Sequence, residues 1–431
     1  MIAKTAGLAL VTATLLASGA AMAVEGATPA SPGAIPPLDH VFVIMMENHA
    51  YGQIVNNPNA PFTNAYLAEA NHATNYFAVA HPSLTNYLET VGGSNFGILS
   101  DNSPDWHNAT CIPNIVRPAT LPANQNRDDN GAGAICPIAG SGMDAPTTAQ
   151  DFTNEGPPYP IDNIDGTRSY PSAPATGKTI ADQLAARGKS WKTYQENLPL
   201  TGADRVNNSN GAFTDTFDFS TLKPAPLANQ TGGNVVALYA VKHNPFVYFK
   251  SVQESANRRN SLANVVGFDG IDGLYGDLAT GDVPDFAYIV PNQCNDQHGK
   301  SASQVGPFCQ SDPTDDGTQN GLNPALIYMG DQTVRKIVTS IKHSPAWRTG
   351  HNAIVVVWDE NDYSAAPNVN KVLIVVDTNY AKGGKVSNTY YNHFSLLKSV
   401  QAGLGLPCLN HSCDADTATM SDLFGRARDQ D

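Results

Sequence analysis

The sequence predicts an α/β fold in which helices cover a mostly parallel central sheet. Two continuous apolar runs, His40–Glu47 and Ala353–Asp359, end abruptly in acidic residues. Unbroken apolar runs are typical of strands that are buried on both faces of a parallel sheet. Strand-like runs also alternate with helix-like segments along the chain, which favours a doubly wound arrangement.

The predicted elements follow one another from residue 40 to residue 403. We expect strands over 40–47, 189–195, 245–252, 286–291, 353–359 and 371–377. We expect helices that include Thr179–Arg187, Pro324–Lys342 and His393–Gly403. The second of these helices carries apolar residues at helical spacing, which predicts that one face packs on the sheet. These apolar residues are Val334, Ile337, Val338 and Ile341.

Two long polar segments interrupt this pattern, at 98–175 and 295–322. Segments of this length within a compact domain are usually functional lids or insertions. No interior segment resembles a linker between domains, so we expect a single domain over 38–431 with long loop insertions.

The first 23 residues have the pattern of a secretory signal peptide, with Lys4 before an apolar stretch from Leu8 to Leu16. Small residues at Ala21–Ala23 predict cleavage after Ala23, and the Ala-, Pro- and Gly-rich residues 24–37 predict a flexible lead-in. The alternative, a membrane anchor, is disfavoured because the stretch is shorter than the roughly 20 residues that a spanning helix needs.

The six cysteines form three couples that are close in sequence. The couples are Cys111 with Cys136, Cys294 with Cys309, and Cys408 with Cys413. Loop closure favours these local pairings as disulfides, whereas zinc ligation lacks support because the sequence has no Cys-x-x-Cys pair. Disulfides and a signal peptide together predict a periplasmic or secreted protein.

The formal net charge of −14 argues against nucleic acid as a partner, because proteins that bind it usually present a basic face. No segment after the signal is long and apolar enough to span a bilayer. An acidic protein can still bind an anionic substrate if a metal supplies local positive charge. The sequence does not determine the oligomeric state.

Oxygen-bearing side chains follow both apolar runs. Glu47 and Asn48 end the first run, and Asp359 and Glu360 end the second. The carboxyl ends of parallel strands meet at one sheet edge, where ligands of open α/β folds bind. These oxygens suit magnesium, calcium or manganese, and zinc also accepts carboxylates. Each residue alone could equally be solvated or could cap the next helix.

Ser83 follows Pro82 at the start of a short helical pattern that ends in Gly92 and Gly93. A helix N-cap explains this serine by structure alone. The functional alternative is a nucleophile, because helix amides and the helix dipole favour an incoming phosphate there. A metal in contact with the hydroxyl would lower its pKa and make the alkoxide accessible.

Three further residues are candidates for the same site. Asp296 and His298 follow the predicted strand over 286–291, and His393 begins the predicted helix over His393–Gly403. A histidine at a helix N-terminus favours its neutral form, which suits metal ligation or contact with a leaving group. A capping or surface role explains a single histidine equally well.

Several motifs occur together in an order that resembles the bacterial acid phosphatase and phospholipase C phosphoesterase family. The resemblance extends from about His40 to Pro407. The motifs are Met45–Asn48, Ala80–Tyr87, Ser344–Trp347, Val357–Glu360 and Tyr391–Leu397. Two positions depart from the usual pattern: His49-Ala50-Tyr51-Gly52 follows Asn48, and Asn361-Asp362-Tyr363 follows the acidic pair.

The resemblance implies an alkaline phosphatase-like α/β/α sandwich and a metal-assisted nucleophile. It implies that Glu47, Asn48, Asp359 and Glu360 are metal ligands and that Ser83 is the nucleophile. It further implies that Asn86 binds a phosphate oxygen. Asp296, His298 and His393 would hold a second metal or serve the leaving oxygen.

We therefore expect an exported, metal-dependent phosphomonoesterase that acts through a phosphoserine on a small phosphate ester or phospholipid headgroup. The end of the chain soon after the His393 helix favours this phosphatase branch. A phosphodiesterase or phospholipase C with the same site is the enzymatic alternative. A non-catalytic exported protein that holds structural calcium at the four acidic and amide ligands is the third possibility.

Overall fold

The computed structural model describes residues 35–96, 176–199, 208–223, 231–313, 317–361 and 370–425, with the single residues Met1, Ile98, Asp101, Ser103, Pro104 and Ile138. All elements below lie in the compact unit Gly33–Asp431. The predicted signal peptide, its cleavage site, most of the lead-in and the Cys111–Cys136 couple lie outside the described residues.

Twelve strands and nine α-helices are formed by the described residues. The strands are β1 His40–Met46, β2 Asn71–Ala73, β3 Tyr76–Phe77, β4 Trp191–Gln195, β5 Asn208–Thr216, β6 Thr231–Ala240, β7 Val265–Val266, β8 Phe286–Val290, β9 Asn352–Trp358, β10 Ile374–Thr378, β11 Val386–Ser387 and β12 Tyr391–Asn392. The helices are α1 Tyr51–Ile54, α2 Pro61–Glu69, α3 Ser83–Gly92, α4 Ile180–Ala186, α5 Lys250–Gln253, α6 Leu274–Thr280, α7 Pro324–His343, α8 His393–Gly403 and α9 Ser421–Phe424.

Eight strands form the central sheet in the order β11-β2-β10-β9-β1-β8-β4-β7. From β9 through β1, β8 and β4 to β7 every pair is parallel. Only β10 runs antiparallel, to both β9 and β2. The predicted α/β fold with a mostly parallel sheet is therefore confirmed, and the strand predicted over 371–377 is an antiparallel one.

The middle of the sheet is covered on both faces. Every residue of β9 is buried, and His40 is the only residue of β1 that is not. The apolar face predicted for α7 is confirmed, because Val334, Ile337, Val338 and Ile341 are all buried in the main core. A one-residue slip between β1 and β9 would move the polar residues that flank these strands into the core. Their burial therefore fixes their register.

One predicted strand is wrong. Residues 245–252 form the 3₁₀ turn Pro245–Tyr248 followed by α5, with Phe246 packed 4.6 Å from Trp191 between ring centroids. Proline cannot donate to a β-ladder, and the turn buries all four of its residues, so this apolar run has no strand-like alternation. A short buried helical turn and a buried strand share the same apolar signature.

The two cysteine couples that lie within the described residues form the predicted disulfides. Cys294–Cys309 and Cys408–Cys413 have Cα separations of 5.2 Å and 5.1 Å. The first joins the segment after β8 to the 3₁₀ turn Pro307–Cys309, so it shortens the polar loop predicted over 295–322. Within the described parts of the chain, no helix combines the length and apolar character needed to cross a membrane.

Helix α7 approaches the segment after β8 very closely at Gly330. Gln297 adopts a positive φ of 85° there, and its side chain donates to the Ile327 carbonyl at 2.9 Å. Its Oε1 accepts a hydrogen bond from Trp358 Nε1, also at 2.9 Å. A Cβ at position 330 would overlap the Gln297 side chain. Gly330 thus makes room for a glutamine that links α7 to the end of β9.

We expect Gly330→Ala to lower the free energy of unfolding by about 1–3 kcal/mol, because Gln297 is held at both ends and cannot move without losing a buried hydrogen bond. Gly52→Ala in α1 is the matched control, since a Cβ there meets no atom within 4 Å. Urea unfolding measures both variants. Equal stability of the two variants would contradict the packing described here.

Candidate functional site

The segments that follow β1, β8 and β9 bring four carboxylates together. Past the strand ends, the Glu47 amide donates to the Asp296 carbonyl at 2.9 Å, and the Asp359 amide donates to the Met46 carbonyl at 3.0 Å. The pairing of β1 with β9 therefore continues to Asp359, whereas Asp296 reaches Glu47 from the turns that follow β8. Glu47, Asp296, Asp359 and Glu360 are 0–1% exposed. The sheet edge predicted to hold ligands is thus a buried acidic cluster.

Ser83 places its hydroxyl between two of these carboxylates. Its Oγ lies 3.2 Å from Glu47 Oε2 and 3.2 Å from Glu360 Oε1. Ser83 is the first residue of α3, and the N-cap position belongs to Pro82. The capping explanation of this serine is therefore wrong by one residue, and its side chain is directed at the acidic cluster instead.

Glu47 is oriented by two aromatic side chains. Tyr87, one turn along α3 from Ser83, donates its hydroxyl to Glu47 Oε1 at 2.7 Å. His243 Nε2 lies 3.0 Å from the same oxygen, and its ring stacks on Tyr87 with centroids 5.1 Å apart. Burial keeps the pKa of Tyr87 well above its ordinary value, so this hydroxyl remains a donor.

Glu360 is held by Asn86 and His81. Asn86 Nδ2 donates to Glu360 Oε2 at 2.9 Å and to the Ala80 carbonyl at 2.8 Å. Its Oδ1 accepts the backbone amides of Val79 and Ala80. His81 Nδ1 lies 2.9 Å from Glu360 Oε2. Asn86 therefore uses both of its N–H groups within the protein, and the predicted contact with phosphate would require one of them to be released.

Asp359 has one oxygen that is satisfied and one that is not. Its Oδ1 accepts the Asn48 amide at 3.1 Å, whereas Oδ2 is buried without a hydrogen-bond partner among the described residues. His393 Nε2 lies 2.6 Å from the Asp359 carbonyl, and Nδ1 lies 2.8 Å from the Tyr76 hydroxyl. Burial lowers the pKa of His393 to about 4, so the ring is neutral and holds the backbone of Asp359 in place.

Burial and mutual repulsion raise the pKa values of three of the carboxylates. The pKa of Glu47 rises to about 8, mainly through burial and against the opposing charge of Lys242. The pKa values of Asp296 and Asp359 rise well above their usual range, through burial and then through the charge of Glu47. Ionised carboxylates this close together require a compensating positive charge.

The donor set fits a divalent cation. Glu47 and Glu360 offer buried carboxylate oxygens to the Ser83 hydroxyl, and Asp359, whose charge interacts with both of them, has an unsatisfied buried oxygen, Oδ2. Hard oxygen donors of this kind suit magnesium, calcium or manganese, and zinc is compatible with them. Asn48 lies beside this group, and its side chain is partly exposed.

Asp296 and His298 lie on the other side of Glu47. Asp296 Oδ1 accepts the His298 amide at 2.8 Å, and its Oδ2 lies 3.4 Å from His243 Nδ1. One atom each of Glu47, His243 and His298 falls within 4.8 Å of the others, which is close enough for a second cation. Lys242 Nζ, however, lies 3.2 Å from His298 Nε2 and already places a positive charge there.

Sequence reasoning placed four of these residues outside the site. His81 lies in the Ala80–Tyr87 motif without a role of its own, and Lys242 and His243 directly precede the strand predicted over 245–252, which does not form. The 3₁₀ turn Val241–His243 instead directs them inward. Asp101 belongs to a long polar segment that has no periodicity to locate it. The run Lys242-His243-Asn244-Pro245 could have indicated two of these residues, because a cation and an imidazole stand next to an apolar segment. The secondary structure of that segment was predicted incorrectly.

Lys242 connects this side of the site to α3. Its Nζ lies 3.1 Å from Asp101 Oδ2, and Asp101 Oδ1 accepts the Leu84 amide at the start of α3. The side chains of Lys242 and Asp101 are 5% and 0% exposed. The ion pair therefore joins the helix that carries Ser83 to the turn that carries His243.

We expect Lys242→Met to lower the free energy of unfolding by roughly 3–5 kcal/mol, because Asp101 loses its cation in a buried position. Lys189→Met is the matched control: its partner is Asp285, and the two side chains are 31% and 27% exposed. The control should cost at most about 1 kcal/mol. Chemical denaturation compares them, and an equal loss in both would show that the Lys242 pair has no special weight.

Comparisons with known proteins bear on the family. The Phosphoesterase family model matches residues 55–312, which is more than half of the chain. An acid phosphatase from Aspergillus fumigatus is 22% identical over 399 residues, which cover 92% of this chain and 62% of the relative. A phosphatidylinositol-3-phosphatase from Mycobacterium tuberculosis is 20% identical over 91% of this chain and 85% of its own length.

The chain spans 55–62% of the length of the three fungal acid phosphatases most similar to it in these comparisons. Among solved structures, it is similar to a protein of the alkaline phosphatase superfamily from Vibrio parahaemolyticus, at 12% identity and a TM-score of 0.41, over 87% of this chain and 68% of that one. A TM-score this low adds nothing about the site. The family match does confirm the predicted resemblance: the chain belongs to the Phosphoesterase family.

Proposed function

We propose that this protein is an exported, metal-dependent phosphomonoesterase that forms a phosphoserine on Ser83. The observation that carries the proposal is the position of Ser83 Oγ, 3.2 Å from both Glu47 and Glu360 at the first turn of α3. Four buried carboxylates would repel a phosphate if nothing neutralised them. A bound cation resolves that conflict, and acid phosphatase relatives agree with the reaction class.

Glu47, Asn48, Asp359 and Glu360 are the residues that would hold the metal. When bound, a divalent cation would lower the pKa of the Ser83 hydroxyl and offset the negative charge of the phosphoryl oxygens. The amides at the start of α3 add partial positive charge on the same side. Tyr87, Asn86 and His393 hold Glu47, Glu360 and Asp359 in place, which limits reorganisation during the reaction.

In the first step Ser83 Oγ attacks phosphorus, the new O–P bond forms, and the ester P–O bond breaks. The Ser83 proton passes to solvent by way of a neighbouring carboxylate, because Oγ lies 3.2 Å from both Glu47 and Glu360. Lys242 supplies a proton to the leaving oxygen, and His298, whose Nε2 lies 3.2 Å from the Lys242 ammonium, accepts a hydrogen bond from it and positions it. Water then attacks phosphorus, the Ser83 O–P bond breaks and inorganic phosphate leaves. Lys242 takes a proton from the water, and the Ser83 oxygen regains its proton by way of the same carboxylates.

Export is supported by the two disulfides and by the signal-peptide pattern at residues 1–23. The substrate class that we propose is a small phosphate ester or the headgroup of a phospholipid. Nucleic acid is not proposed as a partner, because the chain carries a net charge of −14.

Turnover of an aryl phosphate monoester and of the matching diester tests this function. The purified mature protein is assayed as isolated, after chelation, and after separate add-back of magnesium, calcium, manganese and zinc. We expect monoester hydrolysis that chelation removes and one metal restores. Preference for the diester would favour a phosphodiesterase or phospholipase C. Metal binding without hydrolysis of either substrate would favour a non-catalytic metal-binding protein.

A further inference from the structure

A cavity separate from the acidic cluster lies beside the segment that follows β8. Its volume is about 460 Å³, within the usual range of pockets for small ligands. None of the described residues assigned above to the metal or to the reaction lines it. The side chains that matter for its chemistry are Glu196, Asp215, Tyr275, Asn295, Tyr328 and Lys336.

Hydrogen-bond acceptors gather around a single buried amide in this cavity. Asn295 Nδ2 donates to both oxygens of Glu196, at 3.1 Å each, and to Asp215 Oδ2 at 2.9 Å. Asn295 is 1% exposed, and its Oδ1 has no hydrogen-bond partner among the described residues. Two carboxylates therefore share the donor of one amide, and their remaining lone pairs are available to a ligand that donates hydrogen bonds.

Aromatic rings form the walls. Tyr275, Tyr328 and Phe217 line the cavity, and all three are only partly buried. Lys336 lies across one wall, with Nζ 4.9 Å from the centre of the Tyr275 ring and 4.0 Å from Asp215 Oδ1. The cavity thus combines flat apolar faces with charged groups of both signs.

These charges exclude two classes of ligand. A cationic ligand would come close to two cations of the lining, Arg335 and Lys336, the second of which lies 4.0 Å from Asp215 Oδ1. An anionic ligand would meet Glu196 and Asp215, and burial of Glu196 with the charge of Asp215 nearby already raises the pKa of Glu196 to about 7. A neutral ligand with several hydroxyl groups avoids both conflicts, because it donates to the carboxylates, accepts from Lys336 and lays a ring face on a tyrosine.

We propose that this cavity binds a neutral polyhydroxylated ring, such as a sugar or a cyclitol. The site is separate from the proposed phosphatase chemistry and does not require it. Asn295 immediately precedes Asp296, so the occupant would lie against the same loop that carries one side of the acidic cluster.

Titration calorimetry on the full mature chain tests the proposal, with D-glucose, myo-inositol, choline and inorganic phosphate as separate probes. The Ser83→Ala background prevents turnover. We expect at least one of the two neutral rings to bind with a dissociation constant near millimolar, as suits a ligand of this size. Asp215→Asn should weaken that binding by about tenfold or more, because it removes a charged acceptor. The exposed Asp282→Asn is the matched control and should not change it.

A second variant tests the role assigned to Lys336, which is 56% exposed and can be replaced without disturbing the core. We expect Lys336→Met to gain choline binding and to weaken binding of the neutral ring. If circular dichroism shows that Asp215→Asn does not fold, Lys336→Met still tests whether the neutral ring binds in this cavity. Failure of both neutral rings to bind, stronger binding of choline to the protein with the unaltered cavity, phosphate binding that Asp215→Asn changes, or equal loss of ring binding in Asp282→Asn would overturn the proposal.

Discussion

Ser83→Ala should reduce turnover of a phosphate monoester by roughly 10³- to 10⁶-fold, the range expected when a nucleophile is removed while the rest of a site remains. The reason is geometric: Ser83 Oγ lies 3.2 Å from both Glu47 and Glu360, and the variant leaves those carboxylates in place. Turnover is measured from initial rates. Mass spectrometry of acid-quenched reactions should find phosphate on the peptide that contains Ser83, and should not find it in the variant.

Ser399→Ala is the matched control for loss of a buried serine hydroxyl. Ser399 Oγ donates to the Ser395 carbonyl at 2.6 Å and accepts the Met420 amide at 2.8 Å, on α8. This variant should lose about 1–2 kcal/mol of stability and keep its turnover. Ser83→Ala should show the reverse, with a folded protein and little activity. Full activity in folded Ser83→Ala protein would end the assignment of the nucleophile.

The centre of the sheet could be predicted because its strands have no alternative. An apolar run as long as that of β1 or β9, which ends in a carboxylate, is compatible with few structures other than a buried parallel strand. The 245–252 segment is apolar too, but its residues are buried within a 3₁₀ turn and α5 rather than in the sheet. A buried strand and a buried helical turn both appear in the sequence as a continuous apolar run. The β5–β6 hairpin was not predicted because Ala212 and Phe213 are the only apolar residues of β5, and those of β6 form the continuous run Val235–Ala240 without alternation.

The candidate site was likewise predicted only in part. Glu47, Asp359 and Glu360 were expected to meet because parallel strands end at one edge. The structure brings Glu47 and Glu360 to Ser83, and Asp359 lies close enough to both for their charges to interact. Lys242 and His243 reach the cluster from a turn whose path depends on the packing of the whole domain. Local sequence cannot report such a path. For the same reason, sequence could not show that Asn86 and His393 have their polar atoms engaged within the protein.

The acidic cluster should make stability depend on pH in opposite ways with and without metal. In the metal-free protein the pKa of Glu47 rises from 4.5 to about 8 on folding, and those of Asp296 and Asp359 also rise. Between these values the folded state binds more protons than the unfolded state, so the free energy of unfolding falls as pH increases from about 4.5 to about 8. The raised pKa of Glu47 alone lowers the free energy of unfolding by a few kcal/mol over this pH range.

A cation that binds ionised carboxylates should reverse that trend, because it competes with protons and binds more tightly as pH rises. We therefore expect melting temperatures of chelated protein to fall between pH 5 and pH 8, and the gain on metal addition to be largest near pH 8. Glu47→Gln should flatten the chelated profile and lose most of the gain. Glu196→Gln is the control. Burial also raises the pKa of Glu196, to about 7, but this residue lines the separate cavity that contains Asp215 and Tyr275. The variant should therefore leave the response to metal intact. Parallel profiles with and without metal would mean that the cation does not bind at the carboxylates around Ser83, and the proposed mechanism would lose its source of positive charge.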